Sequence, residues 1–377
     1  MIKLSPGRPL DLVLQRAHNN LDLFRLLAAG LVIFEHCYLG LPGGGPAARW
    51  DVFLLTGYPG IYCGPVAVKI FFFISGLLVT NSLLQKNSAV EFMLARFFRI
   101  WPALAAVLVL MAFVAGPLLT DWGAGSYLAS PGPRAYTLDN LLLTSNDELP
   151  GVFTGAGYKF HEVIITLWTL RYEVAAYAWV LVLFALGALR RPWICALLLV
   201  FTYADPLLPH PLLPTSQTGN PEVAYLPCCF ALGACLACWK KRIVLRWEYP
   251  AAAALAWLLF RHRLLGPHLF LLAILLTVLH VSVLPAVLRL RPRADISYGL
   301  YLWGFPVQQM LLPWAAGLGF GASLSATLLG TALLAWLSWR GVERPLIAFG
   351  RRLAARLGSR GNQDQESAGN GGARRYG

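Results

Sequence analysis

Runs of about twenty apolar residues recur along this chain from its first fifth to its last, and few folds accept that pattern. A helix of that length crosses the roughly 30 Å hydrocarbon core of a bilayer at about 1.5 Å per residue. Such runs fall near residues 21–41, 64–84, 100–119, 164–188, 193–209, 222–239, 247–260, 266–288, 296–315 and 322–339. Asp205 and several prolines interrupt the fifth, and the seventh is short before Arg261, so the pattern allows eight to ten spans. The expected fold class is all-α: a polytopic transmembrane helical bundle of about ten spans. Composition agrees, since only 13% of residues are charged, well below the roughly 25% of soluble domains.

Lys and Arg set the orientation. With both termini in the cytoplasm, the inside loops and N-terminal segment carry fifteen basic residues and the outside loops five, before the tail is counted. Short basic loops stay on the cytoplasmic side, so cytoplasmic N- and C-termini are expected. The net charge of +13 is then mostly a topology signal and gives no reason to expect a nucleic-acid partner.

Twenty fairly polar residues precede the first apolar run, which Glu35 and His36 interrupt, so no cleavable signal peptide is expected. Residues 1–20 are expected as a cytoplasmic N-terminal segment, 21–346 as the membrane domain and 347–377 as a basic, polar, disordered cytoplasmic tail. Six of the seven cysteines lie in apolar runs, where Cys acts as a small hydrophobe, and no spacing suggests a metal site.

The first run, LDLFRLLAAGLVIFEHCYLG, holds Asp22, Arg25, Glu35 and His36. Ionisable groups inside a span are costly and by default mark a functional route. Eleven helical steps bring Arg25 and His36 back to within about 20° of one face and about 16 Å apart along the axis, so they can line one cavity without touching. Arg25 falls near the cytoplasmic end and His36 towards the outer end. Asp22, three residues before Arg25, is placed to pair with it.

Other positions repeat the pattern. Arg96 and Arg99 in FMLARFFRIWP share a helix face, and two forked guanidiniums there suit a phosphate-rich ligand as well as plain positive-inside anchoring. LWTLRYEVAAYAW sets Arg171 and Glu173 in an apolar helix, with Glu173 either a second polar wall of the cavity or half of an interhelical ion pair. Lys69 reads as an interfacial side chain whose ammonium snorkels to the surface. His18, His161, His210, His262 and His268 read as solvated or interfacial, and His280 as a secondary polar contact.

At these residues the chain resembles the acyltransferase-3 family, integral membrane enzymes that O-acylate, most often O-acetylate, bacterial cell-surface glycans. The resemblance runs through Leu21, Asp22, Arg25, Ala28, Ala29 and His36, then Phe72, Phe73, Ser75 and Gly76, then Arg96, Arg99, Ile100 and Pro102. LPGVF at 149–153 and LWTLRYE at 167–173 are similar to the polysaccharide O-acetyltransferase branch. Ser297, Tyr298, Tyr301 and Leu302, with Glu343 and Pro345, resemble the closing signatures. Gly304 stands where the family often has His, and Arg171 where it often has Pro.

The resemblance implies a membrane acyltransferase using cytoplasmic acyl-CoA, most often acetyl-CoA, as donor substrate, with no permanently bound cofactor. The acceptor would be a glycan or lipid-linked saccharide at the outer face of the bacterial inner membrane. Arg96, Arg99 and Arg25 would hold the donor, His36 would be the general base, and Glu35 or Glu173 would orient it. Asp22, Ser75 and Tyr298 would support the site. The alternative is a transporter or flippase of a glycolipid or acyl compound, although neither two related halves nor matching broken helices are evident.

Overall fold

The computed structural model describes residues 7–357. They are mostly helical, and their one β element is the two-residue antiparallel pairing of Arg8–Pro9 with Val244–Leu245. Helix α1 spans Leu21–Gly40, where the Asn20 side chain accepts from the Leu23 amide and so satisfies one of the donors a helix start leaves free. Helix α2 is Cys63–Lys86 and α3 is Ala89–Leu110, joined by a tight turn in which Asn87 takes a positive φ of 52°. A π-helical turn, Met111–Ala115, extends α3 to Leu119. Then follow α4 (Leu170–Ala185), α5 (Pro192–Ala204), α6 (Leu226–Trp239), α7 (Glu248–Phe260) and α8 (Gly266–Val281). The last, α9, runs Ser297–Ser338 with a sharp break at Gly319.

A helix stands at each of the ten expected segments, but six stretches are long and apolar enough to cross a membrane: Leu21–Gly40, Cys63–Lys86, Ala89–Leu119, Ile165–Ala185, Pro221–Trp239 and Gly317–Leu357. Pro192–Leu207, Glu248–Phe260 and Gly266–Val281 are apolar but shorter. The part of α9 before Gly319 is made more polar by Gln308 and Gln309, both buried. The chain is an all-α membrane protein.

Helix α2 is the centre of the bundle, with 83% of its apolar window buried against 28–44% for the other five long stretches. Its tightest neighbour is α6. A Cβ at Gly76 would sit 2.1 Å from the Phe230 carbonyl oxygen, and one at Gly233 would sit 2.2 Å from that of Phe73. Close backbone approach over small residues is how helices gain packing energy where lipid offers no hydrophobic drive.

Both ends of the described chain are docked. Leu10 and Val13 are fully buried, Asn20 donates to the Val287 carbonyl at 2.6 Å, and Arg291 donates to the Arg16 carbonyl at 2.7 Å. The expectation of a disordered tail from residue 347 is corrected for 347–357, which continue the last helix. Phe349 packs edge-on against Phe98 of α3, with ring centroids 5.6 Å apart, which gives this turn an apolar partner that composition does not reveal. The rest of the expected tail, 358–377, lies outside the described residues.

Candidate active site

Polar side chains gather at three levels along α1. At its N-terminal end, Arg25 donates to Oδ2 of Asp295 at 3.0 Å, and Arg99 of α3 donates to the same oxygen at 2.7 Å. The other nitrogen of Arg99 lies 3.5 Å from Oε2 of Glu343, which is buried. Ser297 donates to Oδ1 of Asp295 at 2.7 Å. Burial opposes the Asp295 charge, but Arg25 and Arg99 more than reverse this and hold its carboxyl well below the usual carboxylate range. Tyr298 completes this level: the Arg99 guanidinium lies over its ring, and its hydroxyl donates to the Ile100 carbonyl at 3.2 Å.

Asp22 is not part of this cluster. It pairs with the exposed Arg16 at 3.3 Å, and Asp295 takes the place at Arg25 that the sequence pointed to for Asp22. The reason is topological: the loop before α9 crosses the N-terminal end of α1 and delivers a carboxylate from 270 residues away. Sequence reasoning missed Asp295. Its only local signal is a position two residues before Ser297, where α9 begins.

The middle level joins α2, α3 and α4. Glu173 accepts hydrogen bonds from Tyr177 and, at 3.4 Å, from Ser75. The Ser75 and Tyr177 hydroxyls are 2.8 Å apart. Arg96 lies over the Tyr177 ring, 5.8 Å from its centroid, and no carboxylate pairs with it among the described residues. Glu173 thus stands with Arg96, Ser75 and Tyr177 and not beside His36. Arg171, expected deep in the helix, is exposed and folds over the Tyr172 ring, because helical geometry turns it away from the face that carries Glu173.

The third level lies near the C-terminal end of α1. His36 Nδ1 is 2.8 Å from Oε2 of Glu35. Gly64 of α2 makes room for that carboxylate, since a Cβ there would come within 2.5 Å of the same oxygen. The His36 ring meets the edge of Phe305, and Gln308 donates to the His36 carbonyl at 2.8 Å, so α9 fixes both ring and backbone. With Nδ1 directed at Glu35, Nε2 is left to accept a proton. Gly304, where the family often has His, lets α9 approach α1: a Cβ there would lie 2.6 Å from Cγ1 of Ile33.

Two further expectations are corrected. Lys69 is fully buried, with Nζ donating to the Gly60 carbonyl at 3.0 Å and lying over the Tyr225 ring; α2 is enclosed on all sides, so its ammonium has no surface to reach. His268 is also buried, between Tyr203 and Tyr225, because α8 begins beneath the loops and not at the surface.

The family model described as an acyltransferase domain matches residues 18–340, which contain every residue of the three levels except Glu343. The chain is 30% identical to Nodulation protein 10 of Rhizobium leguminosarum bv. viciae over 375 residues, spanning 90% of this chain and 95% of that protein. It is 27% identical to an O-acetyl transferase of Shigella phage Sf6 over 346 residues, spanning 86% and 95%. No solved structure matches significantly. An O-acyltransferase embedded in a membrane, the chain belongs to the acyltransferase-3 family.

Proposed function

We propose that the enzyme takes an acetyl group from acetyl-CoA on the cytoplasmic side and transfers it to a hydroxyl of a cell-surface glycan or glycolipid at the outer face of a bacterial inner membrane. The observation that carries this reading is the separation, on one helix, of an arginine cluster at one end and the Glu35 and His36 pair towards the other. The pairing fits general base catalysis. His36 Nε2 would take the proton of the acceptor hydroxyl as its oxygen attacks the thioester carbonyl; the C–S bond breaks, and the departing thiolate leaves with a proton returned by His36. Glu35 would hold the ring and favour the imidazolium formed in that step.

Donor contacts would divide between the two lower levels. Arg96 has no carboxylate partner among the described residues and is free to meet a phosphate, whereas Arg25 and Arg99 are engaged with Asp295 and would exchange that partner for donor phosphates. About ten spans with both termini in the cytoplasm would put the arginine cluster on the donor side.

Reconstituted vesicles provide the test, with labelled acetyl-CoA supplied on the side of the arginine cluster and surface glycan on the other. Label on the glycan with wild type, and none with His36→Ala, is the expected result. Equal labelling with both would remove His36 from catalysis, and a wild type that moves glycan without labelling it would favour transport.

A further inference from the structure

A groove of about 420 Å³ opens between the loop that joins α1 to α2 and the α7 to α8 hairpin. Phe53, Leu55, Trp257, Phe270 and Ile274 form its apolar lining, and Arg261 and His262 stand at its rim. Leu55 is 85% exposed, so an apolar wall faces outward with none of the described residues covering it. The groove is braced: Trp257 donates to the Tyr58 hydroxyl at 3.0 Å, and that hydroxyl donates to the Arg261 carbonyl at 2.6 Å. It also lies on the His36 side of the bundle. Phe53 packs against the buried cluster of Tyr38, Ala47 and Cys63, in which Tyr38 is next but one to His36 on α1 and Cys63 is next to the Gly64 that accommodates Glu35.

The rim charge has no internal explanation. Arg261, His262 and Arg263 are consecutive, they occupy the end of the bundle away from the Asp295 cluster, and no carboxylate pairs with either arginine among the described residues. The Arg261 Nε instead donates to the His262 ring at 3.1 Å. An apolar trough ending in an unpaired guanidinium beside an imidazole is complementary to one kind of ligand: a hydrocarbon chain ending in phosphate.

We propose that this groove docks the acceptor as a lipid-linked saccharide, its chain against Phe53, Trp257, Phe270 and Ile274, its phosphate on Arg261 and His262, and its sugar directed over the α1 to α2 loop towards His36. The inference rests on the transferase reading above and narrows its acceptor to a membrane-anchored one. Presenting the sugar from a bound lipid converts an encounter in three dimensions into a positioned one, which is where much of the rate of a two-substrate reaction arises.

The test uses the full chain in phosphatidylcholine vesicles and, as probe, a farnesyl diphospho-N-acetylglucosamine with a diazirine on the prenyl chain. Photolabelling should map to peptides within 52–58 and 257–274, and Arg261→Gln with His262→Gln should lower it about tenfold. Ile274→Trp, which fills the trough and leaves the rim charge, should lower it as well. Excess phosphatidylglycerol should leave the labelling in place. Equal labelling by a farnesyl probe without phosphate, full competition by phosphatidylglycerol, or labelling confined to other segments would each overturn the proposal. The readout requires no acetyl transfer: retained labelling with no transfer by wild type would sink the transferase reading and leave the groove, whereas transfer to free glycan with no labelling would do the reverse.

Discussion

The imidazole of His36 lies 2.8 Å from the carboxylate of Glu35, its immediate neighbour in the chain. Successive helical residues project about 100° apart, so such a contact requires the carboxylate to turn back along the helix into free space. That space exists because residue 64 is glycine. The general-base assignment therefore depends on three residues from two helices.

Removing the base is the most direct measurement. His36→Ala should reduce acetyl transfer by about 10² to 10⁴-fold while leaving the folded protein and donor binding intact. His36→Gln should be as inactive, because an amide keeps a hydrogen bond and cannot take up the proton. Transfer rates and donor affinities of both purified variants decide it; transfer at the wild-type rate in either would end the assignment.

Gly64→Ala tests the space. The new methyl would have to displace the Glu35 carboxylate, an overpacking that costs typically about 1–3 kcal/mol. Both thermal stability and transfer should fall, and Glu35→Ala in the same background should restore stability without restoring transfer. A Gly64→Ala enzyme with normal rate would show that the carboxylate position is unimportant.

The arginines should separate into two behaviours. Arg96→Ala is expected to weaken acetyl-CoA binding by about 1.5–3 kcal/mol with little change in melting temperature, because no ion pair is lost. Arg99→Ala should lower the melting temperature as well, since it leaves Asp295 and the buried Glu343 short of a partner. Calorimetric titration with acetyl-CoA alongside thermal melts would separate the two, and identical profiles would contradict the division.

Asp295 gives an acid-side prediction. Its carboxyl is held below the ordinary range despite burial, by Arg25 and Arg99, so the folded state binds fewer protons there than the unfolded one. The resulting stabilisation is fully present above the unfolded carboxylate value and is lost only as pH falls through the lowered folded value, in stronger acid. Melting curves of Asp295→Asn and wild type should therefore differ at pH 7 and still differ at pH 5. Curves that merge by pH 5 would argue against the pairing.

The loop that precedes α4 should respond with the opposite sign. Burial, with Glu162 and Glu148 nearby and Arg171 only partly offsetting them, raises the Asp147 carboxyl from 3.8 to about 6. The folded loop then binds more protons than the unfolded one, so it loses stability as pH rises from about 4 to about 6 and stays level above. This loop also supplies Phe160, which packs on Phe305 beside His36. Amide protection across residues 142–164, taken relative to the intrinsic exchange rate at each pH, should be higher at pH 4.5 than at pH 7.5, and Asp147→Asn should abolish the difference.

Much of this was legible in the chain itself. Apolar run length located a helix at every expected segment, because the bilayer requires long self-satisfied helices and the pattern is local. The pairing of Arg25 and His36 on one face of α1 follows from helical repeat alone. Motif order pointed to the acyltransferase-3 family, which the match over residues 18–340 shows. Partners were another matter. Asp295 reaches Arg25 and Arg99 from a distant loop, Glu343 comes from the π-helical turn that follows α9, and Phe305 and Gln308 secure His36 from α9. Lys69 looked interfacial because its own segment has two ends near water, and it is buried because helices distant in sequence enclose that segment. Helix periodicity determines which residues share a face; only the packing of helices distant in sequence decides what that face meets, since ion pairs and close contacts act over a few ångströms of space and take no account of chain order.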